Sequence, residues 1–129
     1  MTETPVETRD RRVMFFTLWT FASLNFIYAD VVTLFDKTVV TNISQGTLLA
    51  FAVLVETAFA MVLLSRVLKY RANRWANIIV GAVNTVAVIA SLLVTTPALY
   101  YLFFATIEIA TTLLIIWYAW TWPNPARTL

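Results

Sequence analysis

Residues 98–120 read ALYYLFFATIEIATTLLIIWYAW, and Glu108 is the only acidic or basic side chain among them. A bilayer core takes roughly 20 apolar residues at a helical rise of about 1.5 Å each, so this stretch is long enough to cross. Its apolar positions are continuous rather than alternating, which argues against a strand. Residues 46–68, GTLLAFAVLVETAFAMVLLSRVL, repeat the pattern around a second lone acid, Glu56. Working outward, residues 13–34 and 75–94 are two further runs of the same kind.

The composition agrees. Of 129 residues, 60% are hydrophobic and 12% charged, with a mean hydropathy of +0.79, whereas a soluble domain carries about 25% charged residues. The expected fold is all-α: a polytopic membrane protein, a single domain over residues 1–129, built as an antiparallel bundle of four transmembrane helices behind an N-terminal tail, 1–12. The breaks carry their own signals. Residues 35–45 hold Asp36, Lys37, Asn42 and Ser44, and residues 66–74 hold four basic side chains. Thr96-Pro97 reads as an N-cap followed by proline at the first helical position, an abrupt start for the last helix.

Lysine and arginine set an orientation. Arg9, Arg11, Arg12, Arg66, Lys69, Arg71, Arg74 and Arg127 fall on one side and Lys37 alone on the other. Both termini of this multi-pass protein are therefore expected in the cytoplasm. Trp75, Trp117, Trp120, Trp122 and Tyr70 would form the inner aromatic belt. The first apolar run is too long for a signal-peptide core and is expected to be a retained anchor. The chain has no cysteine and no histidine, so thiolate and imidazole ligands are missing, and neither a metal site nor a cofactor is expected. No phosphate loop or nucleic-acid patch is present.

Depth follows from the rise per residue. Glu56 and Glu108 each lie ten residues in from the start of their span, roughly 15 Å below the outer surface, and Asn25 and Asn84 fall close to the same level. One strongly polar side chain per helix is expected in a central layer. The order asparagine then glutamate occurs twice, as Asn25/Glu56 and Asn84/Glu108, which reads as a duplicated helical hairpin. A mid-span acid costs roughly 2.5–3.5 kcal/mol on insertion scales, against about 0.6 kcal/mol gained by a typical interhelical hydrogen bond. That imbalance favours a functional pair over structural glue. No lysine or arginine shares the depth, so the two glutamates are expected to be protonated or to share a proton, bonded to Asn25 and Asn84 until a cationic ligand arrives. Asp30, Tyr28 and Tyr101 would form an outer mouth. Arg66, Lys69, Arg71 and Arg74 would fix topology or bind lipid headgroups.

The stretches LNFIYADV (24–31) and LLSRVLKYRANRWAN (63–77), with the segment from Tyr100-Tyr101 to Glu108, resemble an uncharacterised family of small bacterial four-helix membrane proteins. That resemblance implies a four-span inner-membrane protein and no particular activity. In general plan the chain is also similar to DoxX-like proteins and to sterol-isomerase-like bundles.

Three functions remain open on the sequence. The polar layer can bind or transport a small amphiphile or cation, with the bilayer as the other partner; transport through so few helices would favour a homodimer. It can serve an isomerase or cyclase acting on a membrane-dissolved substrate, one glutamate as acid and the other as base. Or the chain is a structural or accessory subunit whose acids meet a partner's helix.

Overall fold

In a computed structural model, the described residues, 5–40, 43–94 and 96–124, contain four long helices and one short one. They are α1 (Pro5–Thr33), the single turn α2 (Lys37–Val40), α3 (Gln45–Val67), α4 (Tyr70–Val94) and α5 (Leu99–Trp120). All four long helices have the length and composition to cross a membrane. Each packs on two others: α1 lies against α3 and α5, and α4 against α5 and α3.

Local chemistry sets most of the boundaries. Ser44, in extended conformation, caps α3 by accepting the Thr47 N–H at 3.1 Å, which satisfies one of the free amides of the first turn. Leu68 then leaves the helix in extended conformation, and α4 begins two residues later at Tyr70. Residues 66–74, read above as a break, are therefore nearly all helical. The last helix also departs from expectation. Its N-cap is Ala98, which makes no side-chain capping bond, and Leu102 N–H closes the first turn on Ala98 O at 3.1 Å. Thr96 and Pro97 precede the helix rather than starting it. The expected loop position Asn42 lies outside the described residues.

The largest departure is at the N-terminus, where α1 reaches back through the expected tail to Pro5. Two distant helix ends account for it. Arg11 Nη1 donates to Tyr118 O at 2.7 Å, and Arg12 Nη1 donates to Arg66 O at 3.2 Å. Arg74 adds two more bonds of the same kind, from Nε to Ala119 O at 3.0 Å and from Nη2 to Trp120 O at 3.1 Å. These guanidinium groups satisfy carbonyls that the last turns of α3 and α5 cannot bond internally, and their charge opposes the negative end of each helix dipole. The basic residues read as topology markers thus also tie the bundle together at one end.

Small and polar residues dominate the buried face of α4, beside a hydrophobic cluster that includes Phe15, Trp19, Met61 and Ile115. Of the six buried residues of α4, Asn73, Asn77, Gly81, Asn84, Thr85 and Val88, only the last is a large hydrophobe. Leu24, Leu63, Val67, Leu93, Leu99 and Phe103 are exposed. In water this distribution would be unstable; in a bilayer, lipid covers the apolar faces while small and polar residues pack helix against helix. Trp122 departs from the expected aromatic belt. It is buried, 5.5 Å from the Phe15 ring and 4.9 Å from Tyr70, whose hydroxyl donates to Trp122 O at 2.8 Å. Trp75, Trp117 and Trp120 do lie exposed.

Candidate functional site

Glu108 occupies the inward face of α5 with Ala105, Thr111, Thr112 and Ile115. The spacing i, i+3, i+4, i+7 keeps these on one side of a helix. Only 6% of Glu108 is exposed. Its one hydrogen-bonding side-chain partner among the described residues is Asn25, whose Nδ2 donates to Oε1 at 3.4 Å and is shared with Phe104 O at the same distance. Bonds of 3.4 Å are long for a carboxyl group, so most of its accepting capacity is unused. Asp30, exposed one turn beyond Asn25, is within electrostatic reach of Glu108 and of Tyr101.

From Glu108 the polar layer continues across the bundle. Thr112 Oγ1 donates to Glu108 O at 2.9 Å and lies 2.7 Å from Thr85 Oγ1 on α4. On the next face, Asn84 Nδ2 donates to Thr57 Oγ1 of α3 at 3.1 Å and to Val80 O at 2.9 Å. Asn84 Oδ1 and Ser23 Oγ are buried without a hydrogen-bond partner among the described residues.

Glu56 is not part of this layer, which corrects the expectation of two buried glutamates. It lies exposed on α3. The buried residues of that helix are Ala58, Met61 and Ser65, and at about 100° per residue Glu56 stands some 200° away from Ala58. The neighbouring Thr57, not the acid, meets Asn84. Of the expected outer mouth, Tyr101 bonds Ser91 of α4 at 2.7 Å, and Tyr28 is exposed with its ring 5.7 Å from Phe104. Asp30 faces out beside them. Among the basic residues, Arg66 stacks 5.4 Å from the Phe16 ring, Lys69 is exposed, and Arg71 and Arg74 line a cleft at the end of the bundle.

One network was not anticipated. Trp19 Nε1 donates to Asn77 Oδ1 at 2.7 Å; Asn77 Nδ2 donates to Asn73 O at 2.8 Å and to Asn73 Oδ1 at 2.7 Å; Asn73 Nδ2 donates to Ser65 O at 2.7 Å. It ties α1, α4 and α3 together. Asn73 continues the buried face of Asn77, Gly81 and Asn84 one turn backward, into the stretch read as a break between spans.

No group of three or more potential metal-binding side chains occurs among the described residues. A family described as a family of unknown function (DUF6326) matches residues 6–128. No curated protein and no solved structure matches the chain.

Proposed function

The chain belongs to the DUF6326 family, a family of unknown function, so its role is to be read from its own geometry. We propose that it is a four-span, antiparallel protein of the cytoplasmic membrane, with both termini in the cytoplasm, that binds or carries a small cationic or amphiphilic ligand at Glu108. The observation that carries this reading is the loose bonding of Glu108: a carboxyl group buried in the bundle, touched only by one long amide contact and with no cationic partner among the described residues. A structural acid would be expected to use its oxygens on neighbouring donors. Asn25 orients the carboxyl, and exposed Asp30 extends the acidic path toward the bundle surface. Asn84 and Thr57 supply further polar lining on the α3–α4 side.

The geometry argues against Glu56 and Glu108 acting together as acid and base. General acid–base work on one substrate needs both groups within reach of it, and Glu56 faces away from the interior. Glu56 therefore takes no part in the site.

Equilibrium binding of tetraphenylphosphonium, a lipophilic cation, to detergent-purified protein tests the reading. Glu108→Gln is expected to weaken binding about tenfold or more, the scale of one lost charge-assisted contact. Glu56→Gln is expected to leave it unchanged. Equal binding by wild type and folded Glu108→Gln would reject the site.

A further inference from the structure

A second polar feature lies away from Glu108, at the end of the bundle where the arginines cap α3 and α5. A cleft of ≈ 750 Å³ opens between the start of α4 and the end of α5, and its lining includes Arg71, Arg74, Trp75, Trp120 and Trp122. Trp120 is twelve residues beyond Glu108, about 18 Å along the helix, so the two features are separate.

The two arginines are held differently. Arg74 is fixed: Nε and Nη2 donate to Ala119 O and Trp120 O, and its guanidinium carbon lies 5.8 Å from the Trp75 ring centroid and 5.7 Å from that of Trp120. These bonds neutralise no charge, since their acceptors are backbone carbonyls. A guanidinium carries five N–H donors, so donors remain for a ligand. Arg71 stands one turn earlier on the same helix and is exposed. Among the described residues, no acidic side chain lines the cleft. The result is two guanidinium groups, one of them oriented in advance, beside indole rings that are exposed at the helix ends. Guanidinium forks match phosphate oxygens, and indoles favour the headgroup level of a bilayer.

We infer that this cleft binds a phosphate ester carried on an apolar body, its phosphate on Arg71 and Arg74 and its adjoining apolar part on Trp75 and Trp120, as an anionic phospholipid headgroup would present itself. The site goes beyond the cation-binding reading and does not depend on it. Arg74 holds the end of α5, so its removal would confound binding with folding. Arg71 makes no such bond, and Arg71→Gln is the informative variant.

Native mass spectrometry of the full chain, titrated with phosphatidylglycerol or phosphatidylcholine in detergent, reads the occupancy. Wild type is expected to retain one phosphatidylglycerol in preference to phosphatidylcholine. Arg71→Gln is expected to weaken that retention about tenfold, whereas Lys69→Gln, a charge outside the cleft, leaves it unchanged. Soluble glycerol phosphate is expected to compete only in large excess over the lipid; competition at comparable concentrations would overturn the apolar contact with Trp75 and Trp120. Equal retention of the two lipids, or equal losses in Arg71→Gln and Lys69→Gln, would overturn the proposal, because general interfacial charge would then explain the binding.

Discussion

Asn77→Leu is expected to destabilise the folded protein by about 2–4 kcal/mol. Asn77 is fully buried and joins three helices through the Trp19 indole, the Asn73 amide and, beyond it, Ser65 O. Leucine fits the volume roughly but returns none of the bonds. The Trp19 N–H and Asn73 Oδ1 would both be left buried and unpaired, and each such group costs about 1–3 kcal/mol. That is well above the roughly 0.6 kcal/mol average for an interhelical bond in a membrane protein, because the average includes partners that find substitutes. Unfolding in mixed micelles of rising dodecyl sulfate content, followed by tryptophan fluorescence, measures the change. A shift below about 0.5 kcal/mol would mean that the network adds little and that the packing of α1 on α3 and α5 holds the bundle without it.

The second large effect is expected at Gly81, where α4 packs closely on α5. A Cβ at this position would lie 2.9 Å from Ile116 Cγ1 and 3.5 Å from Thr112 O. Alanine already forces Ile116 to give way, because Cγ1 belongs to the stiff, branched part of a helical isoleucine. Leucine requires α5 to move outward, which strains or breaks the 2.7 Å contact between Thr85 and Thr112. Overpacking of this kind costs about 1–3 kcal/mol, and the lost polar contact adds to it. In the same unfolding assay Gly81→Leu is expected to fall well below wild type and Gly81→Ala to fall between the two. Wild-type stability in Gly81→Leu would show that the α4–α5 contact is looser than its geometry implies.

These two positions also mark how far the sequence could be read. The four long helices were legible because apolar runs of that length have few other uses. Azimuth was a different matter. On α5, Glu108 shares its face with Thr111 and Thr112, and that polar stripe points the acid inward. On α3 no such stripe exists: its outer and inner faces are both apolar, and the phase is set by the packing of Ala58, Met61 and Ser65. One residue decided the outcome, placing Thr57 against Asn84 and Glu56 on the surface. The helical N-terminal segment was hidden for a related reason. Arg11 and Arg12 look like topology charges until their partners, carbonyls 107 and 54 residues away, are brought beside them. Trp122 looked interfacial because nothing local shows that the chain turns at Thr121 and folds the indole back onto Phe15.

The outward carboxyl of Glu56 and the inward one of Glu108 give the account its most direct test. Dicyclohexylcarbodiimide, an apolar reagent, adds to protonated carboxyl groups, and peptide mass spectrometry reports each site separately. With the protein in lipid nanodiscs, tetraphenylphosphonium is expected to slow modification of Glu108 and leave that of Glu56 unchanged. Protection of Glu56 with Glu108 unaffected, or no protection of either at saturating cation, would contradict the assignment of the ligand site to Glu108.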